Sequence, residues 1–129
     1  MMKRASRNSY WIVAGIINSF TALLHLISGQ IDLVNPLLGS NLSIQLKTEW
    51  LGAWHIVTAI LFVSSYYLIK YGLNKTSRNS EVIQLIGILY LLFSFVFILS
   101  SLYMTVFAPQ WILLLPIGVL SLIGNRYAN

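Results

Sequence analysis

The fold is decided by the stretch from Val82 to Phe107, which reads VIQLIGILYLLFSFVFILSSLYMTVF. This stretch contains no Asp, Glu, Lys, Arg or His. An α-helix rises about 1.5 Å per residue, so about 20 apolar residues cross a hydrocarbon core about 30 Å thick. The stretch therefore predicts a transmembrane helix with length to spare.

Three further apolar runs surround this stretch, and each of them also predicts a membrane-spanning helix. They extend from about 10 to 28, from 50 to 71 and from 109 to 125. The last run reaches the lower limit for a span only when Pro109 and Gln110 are included, and Pro116 is expected to kink it. Residues 1–129 thus predict a single domain of the all-α class, an integral membrane antiparallel four-helix bundle.

The composition supports this class and excludes others. Only 9% of the residues are charged and 57% are hydrophobic, whereas soluble proteins have about 25% charged residues. The net charge of +5 does not indicate nucleic acid binding, because the basic residues flank the apolar runs and do not line a polar face. The chain has no cysteine, which excludes disulfides and thiolate chemistry.

The positions of the basic residues predict the orientation in the bilayer. Seven of the eight precede the first run, surround the second connection or follow the last run: Lys3, Arg4, Arg7, Lys70, Lys75, Arg78 and Arg126. The other side has only Lys47, together with Asp32 and Glu49. Because Lys and Arg concentrate on the cytoplasmic side, we expect both termini to be cytoplasmic.

A cleaved signal peptide is the alternative interpretation of the first run. Lys3, Arg4 and Arg7 resemble the basic region of such a peptide. However, the apolar run exceeds the usual length of about 7 to 15 residues, and no A-x-A-like site follows Ser28. These two features favour an uncleaved span.

The connection at 29–49 is long and includes several Leu, Ile and Val residues, so we expect it to be partly structured. Asn35 followed by Pro36 resembles a helix start, with Asn as the cap and Pro at the first helical position. The sequence therefore predicts a short helix on the outer membrane surface, and this helix is expected to cover the outer end of the bundle.

Small and weakly polar residues at helical spacing indicate the inward faces of the helices, because close packing drives association in lipid. Such residues on the four runs include Ala14, Asn18, Thr21, Ala22, Thr58, Gly87, Tyr90, Ser94, Gly118 and Ser121. Apart from tyrosines, the titratable groups within the predicted hydrocarbon zone are His25 and His55. Both lie about 5 to 8 Å below the outer boundary if their helices are neighbours.

An ionisable residue inside a membrane indicates a functional site, in which a second group pairs with that residue. Here the second group is the other histidine. The sequence predicts an outward-facing pocket centred on His25 and His55, with Asp32 and Glu49 above them and Thr58 on the wall. Two imidazoles with one or two carboxylates form an acceptable ligand set for a divalent metal, so His25 and His55 are also the candidate metal ligands. No metal-binding motif supports this set, and the cofactor stays unassigned.

Two alternatives stay open for the histidines, and Trp54 has two interpretations as well. Each histidine could hydrogen-bond across a helix pair and simply hold the bundle together. A single b-type haem between His25 and His55 would make the chain a redox protein. Trp54 fits the interfacial aromatic belt, yet beside His55 it could also line a site for a quinone or another flat apolar ligand.

The expected function is the binding of a small apolar ligand, a quinone or a metal in this pocket. The runner-up is a noncatalytic accessory subunit that packs against a larger membrane protein or against further copies of the chain. A non-enzymatic role is favoured, because the chain has three acidic residues and no Gly-x-Ser-x-Gly turn. The expected partners are the lipid bilayer and these ligands, and not nucleic acid.

Overall fold

The computed structural model describes residues 7–74 and 80–127, and it confirms the all-α class. The α-helices are α1 (Ser9–Gly29), α2 (Asn35–Gly39), α3 (Ile44–Leu73), α4 (Ser80–Met104) and α5 (Trp111–Arg126). A π-helical segment, Gln30–Val34, joins α1 to α2. The chain from Ser9 to Gly39 is thus one continuous helix, which gives four helices among the described residues.

Three of these helices are long and apolar enough to cross a membrane: Ser9–Gly39, Ile44–Leu73 and Glu81–Met104. Helix α5 has 16 residues and is about 24 Å long. The predicted start of this helix at 109 is wrong, because Pro109 and Gln110 form a turn whose carbonyls accept the first N–H groups of the helix. Pro116 lies inside α5, as expected.

The predicted connection at 29–49 is shorter than expected, since only residues 40–43 are outside helices. Asn35 does not cap a new helix; its backbone is helical, at φ −61° and ψ −47°. The N–H of Asn35 bonds to the carbonyl of Gln30, five residues back. This wider π-helical turn directly precedes Pro36, which has no N–H to donate. The helix therefore continues through a sequence that resembles a loop.

Helix α3 begins six residues before the predicted start at Trp50 because Ser43 caps it. The Ser43 side chain accepts a hydrogen bond from the N–H of Leu46, and its backbone is extended. An extended cap residue with a side-chain acceptor is the usual way to begin a helix. Lys47 in the first turn donates to the carbonyl of Leu38, 2.7 Å away, which joins α3 to α2.

Helix α4 ends at Met104, three residues before the predicted end at Phe107. Thr105 has a positive φ of 51°, in the left-handed region. The N–H of Val106 then reaches back to the carbonyl of Ser101, which is the hydrogen bond of a Schellman-type helix end. The turn leads directly into α5.

Helix α1 is the centre of the packing, because it lies against both α3 and α5. Residues late in α1 meet the first half of α3, since His25 contacts Thr58. Asn8, just before α1, bonds to Gly72 near the end of α3. Helix α4 packs along α5 and touches α3 little. Trp11 and Tyr90 are the largest fully buried side chains.

Helices α4 and α5 approach each other closely at two glycines. A Cβ at Gly118 would lie 3.0 Å from the carbonyl oxygen of Gly87 and 3.0 Å from the side chain of Leu91. Because the oxygen belongs to the backbone, it cannot move aside as a side chain could. Small residues at this position therefore set the distance between the two helices.

One end of the bundle is held together by Asn8. Its backbone N–H donates to the carbonyl of Gly72 in α3, and its side-chain nitrogen donates to the carbonyl of Gly124 in α5, 2.8 Å away. Its side-chain oxygen accepts the N–H of Trp11 and so caps α1. The start of α1 and the ends of α3 and α5 consequently lie together.

Candidate functional site

The candidate site is built around His25, which faces α3 from the C-terminal part of α1. The Nδ1 atom of His25 is 3.0 Å from the Thr58 hydroxyl oxygen. The same hydroxyl is 3.0 Å from the carbonyl oxygen of Trp54, one helical turn earlier. Of the predicted site residues, His25, Thr58 and Trp54 are thus brought together.

These two hydrogen bonds specify the tautomer of the imidazole. The Thr58 hydroxyl has one proton, and it donates that proton to the carbonyl of Trp54. The oxygen must then accept from His25, so Nδ1 carries the hydrogen. A neutral imidazole has one donor and one acceptor nitrogen, which makes Nε2 of His25 an acceptor with an available lone pair.

The indole of Trp54 covers one face of His25. The ring centroids are 3.9 Å apart and the planes differ by 16°. Gly29, one turn after His25, makes space for this indole, because a Cβ at that position would overlap Cζ2 of Trp54. The π-helical segment begins directly after Gly29, and such segments occur frequently at functional sites.

The Nε1 atom of Trp54 is buried and has no hydrogen-bond partner among the described residues. An unpaired buried donor costs about 1 to 3 kcal/mol, so a buried indole N–H usually has an acceptor. The site therefore combines a donor, Nε1 of Trp54, with an acceptor, Nε2 of His25, within stacked rings. A small molecule that has both kinds of group could satisfy both, provided that it displaces the protein atoms that cover Nε1.

The other three predicted site residues make no hydrogen bond or ring contact with this cluster, although His55 lies within electrostatic range of His25. His55 is exposed and makes no ring contact or hydrogen bond within residues 7–74 and 80–127. Asp32 lies exposed in the π-helical segment. Glu49 is exposed and accepts a hydrogen bond from Gln45, 3.0 Å away, one turn earlier on α3. The ring that lies against His25 is that of Trp54, next in sequence to His55.

No group of three or more His, Asp or Glu side chains in the described part of the chain could hold a metal ion. The two carboxylates expected above the histidines therefore do not complete a ligand set with them. This geometry gives the metal hypothesis for His25 and His55 no support. The clustered groups suit hydrogen bonding and ring stacking instead.

A second buried polar group, deeper in the bundle, connects three helices. Asn18 donates to the carbonyl of Leu61 in α3 and accepts from the Tyr90 hydroxyl of α4, at 3.0 and 2.9 Å. The hydroxyl of Ser64 lies beside the same phenol. The sequence places Asn18 and Tyr90 on inward faces, but the pairing of the two depends on packing that helical spacing does not reveal.

An apolar groove of about 380 Å³ lies at the C-terminal end of α4, toward the same end of the bundle as His25. Its lining includes Val96, Phe97, Ser100, Met104 and Ala108. None of these five residues is among the predicted site residues. The groove contains none of the His, Asp or Glu groups considered above.

Comparison of the chain with protein-family models, with curated proteins and with solved structures finds no match.

Proposed function

We propose that the chain is an integral membrane protein with four antiparallel spans and both termini in the cytoplasm. Three helices long and apolar enough to cross a bilayer support insertion, as do exposed apolar side chains on every long helix. Arg7, Lys70 and Arg126 lie near the end where Asn8 joins α1, α3 and α5, which suits the cytoplasmic side. The other basic residues of that side, Lys3, Arg4, Lys75 and Arg78, lie outside the described residues.

Single cysteines test this topology, because the natural chain has none. Asn41→Cys in the outer connection and Gln110→Cys before α5 are expected to react with a membrane-impermeant maleimide in intact cells. Tyr127→Cys, after α5, is expected to react only after permeabilisation. Labelling of all three in intact cells, or the opposite pattern, would contradict the proposed orientation.

Within this topology, the proposed function is the binding of a small apolar ligand that has a polar end at His25. The observation that carries this proposal is the unpaired, buried Nε1 of Trp54, whose indole stacks on the His25 ring that has Nε2 as its acceptor. A quinone carbonyl can accept from the indole N–H, and the hydroxyl of the reduced quinol can donate to the imidazole. Flat rings also suit a site formed by two stacked aromatic side chains.

Titration calorimetry with a short-chain benzoquinol in mild detergent tests the proposal. His25→Ala is expected to weaken binding about tenfold, the effect of roughly 1.4 kcal/mol for a hydrogen bond left unmade. His55→Ala is the matched control, since His55 directly follows Trp54 in α3 but is exposed. This variant should change the dissociation constant less than about twofold.

Folding is not expected to limit this experiment. Loss of the His25–Thr58 hydrogen bond should cost about 0.6 kcal/mol, the average for polar pairs between membrane helices. A wild-type protein that binds no benzoquinol, or equal weakening by both histidine variants, would refute the site. If His25→Ala unfolds the protein, the imidazole holds the bundle together and is not a ligand-binding group.

A further inference from the structure

Three tyrosine rings surround the ammonium group of Lys70 near the end of α3. The Nζ atom of Lys70 is 5.3 Å from the ring centroid of Tyr66, 5.9 Å from that of Tyr67 and 5.8 Å from that of Tyr71. Distances below about 6 Å allow cation–π attraction. We refer to these four residues as the Lys70 cluster.

The rings of the Lys70 cluster are fixed relative to one another and to the bundle. Tyr67 stacks on Tyr71 with centroids 5.8 Å apart, and Tyr66 meets Tyr67 edge to face at 5.3 Å. Tyr67 and Tyr71 also pack against the hydrophobic core, whereas Tyr66 is 57% exposed. The core thus anchors two rings, and the third ring and the ammonium face outward.

The charge of Lys70 is not neutralised within the protein. No carboxylate among residues 7–74 and 80–127 forms an ion pair with it, and the side chain is exposed. Arg7 and Arg126 flank the same end of the bundle, because the Asn8 hydrogen bonds bring the start of α1 and the ends of α3 and α5 together. This end therefore has a surplus of positive charge.

We propose that the Lys70 cluster binds the phosphate group of an anionic phospholipid in the cytoplasmic leaflet. The inference rests on the proposed membrane insertion and orientation, and it is independent of the His25 site. A lysine with neighbouring tyrosines at a helix end is suited to the headgroup layer, where aromatic rings and basic residues are favoured. The ammonium group supplies the charge for the phosphate, and the exposed Tyr66 phenol is placed to donate to a phosphate oxygen.

Native mass spectrometry of the whole protein in mild detergent tests this inference, with phosphatidylglycerol and phosphatidylcholine as probes. Wild-type protein is expected to prefer phosphatidylglycerol, and Lys70→Met should reduce that preference about fivefold. Lys70→Arg keeps the charge and should retain most of the preference. Tyr66→Phe keeps the ring but removes the hydroxyl, and it should weaken the preference by a smaller factor.

Lys47→Met is the matched control, because it removes the same charge at the other end of α3. It should leave the preference for phosphatidylglycerol unchanged. An equal loss in Lys47→Met and Lys70→Met would show diffuse electrostatic attraction and overturn the inference. Equal competition by inorganic phosphate would also overturn it, since the site would then bind a soluble anion.

Failure of this inference can be told apart from failure of the membrane proposal. Maleimide labelling of the Asn41→Cys and Tyr127→Cys variants reports the orientation without reference to any lipid. A correct labelling pattern with no effect of Lys70→Met refutes the lipid site alone. A reversed pattern refutes the orientation, and with it the cytoplasmic leaflet as the source of the lipid.

Discussion

Gly124→Ala is expected to lower the free energy of unfolding by about 1 to 3 kcal/mol, although it adds a single methyl group. A Cβ at Gly124 would lie 2.6 Å from Nε1 of Trp11 and 2.9 Å from Cβ of Tyr10. Trp11 is fully buried and its Nε1 donates to the carbonyl of Ser121, 3.1 Å away, so the indole cannot move without losing that bond. The hydrogen bond from Asn8 to the Gly124 carbonyl would be strained as well.

Denaturant titration in mild detergent, followed by circular dichroism, measures this loss. Gly52→Ala in α3 is the matched control, since no atom lies within 4 Å of the Cβ that it adds. It should be neutral or should stabilise α3 by up to about 1 kcal/mol, from helix propensity. Equal stabilities of the two variants would contradict the close approach of α5 to Trp11.

Asn18→Leu is expected to cost about 1.5 to 3 kcal/mol, and addition of Tyr90→Phe should recover part of that loss. Asn18 is fully buried and accepts the hydrogen bond of the Tyr90 hydroxyl. Leucine has a similar volume but leaves the buried hydroxyl without this acceptor, and phenylalanine then removes the hydroxyl itself. Removing one partner of a buried hydrogen bond costs more stability than replacing both partners with apolar groups.

A double-mutant cycle of Asn18→Leu and Tyr90→Phe measures this coupling. We expect the stability loss of the double variant to be about 1 kcal/mol smaller than the sum of the two single losses. Ser19→Ala is a control on the same helix, because the Ser19 hydroxyl bonds to the carbonyl of Gly15 within α1, and it should change stability by less than about 0.5 kcal/mol. Strictly additive losses would mean that the two side chains do not share the bond.

The helices themselves could be predicted from the sequence, and most of their ends agree to within two residues, but the ends at the connection 29–49 and the end of α4 could not be predicted. The run from Val82 to Phe107 predicts a helix because nothing in it breaks the apolar pattern. The polar residues between 29 and 49 predict a connection, yet the π-helical turn before Pro36 and the cap at Ser43 keep most of this segment helical. These ends depend on local hydrogen bonds, which hydropathy does not register.

Three of the six predicted site residues, His25, Thr58 and Trp54, do meet in the structure. His25 and Thr58 follow from polar residues at helical spacing, and they meet. Depth alone puts His55 in the predicted site, but equal depth does not make two side chains face each other. Successive residues on a helix point about 100° apart, so Trp54 faces α1 and its neighbour His55 is exposed. The sequence alone does not show that Gly29 makes space for the indole of Trp54, because this contact depends on how α1 packs against α3.

The central claim is that His25 and Trp54 hold a small apolar molecule, and the most direct test is to identify what the protein retains. Protein purified in mild detergent without chelator should yield about one molecule per chain of an apolar compound other than phospholipid, detected by mass spectrometry. His55→Ala should retain this compound, whereas His25→Ala and Trp54→Phe should lose it. Equal retention by all variants would contradict the claim, as would a Soret band or bound metal that disappears in His25→Ala.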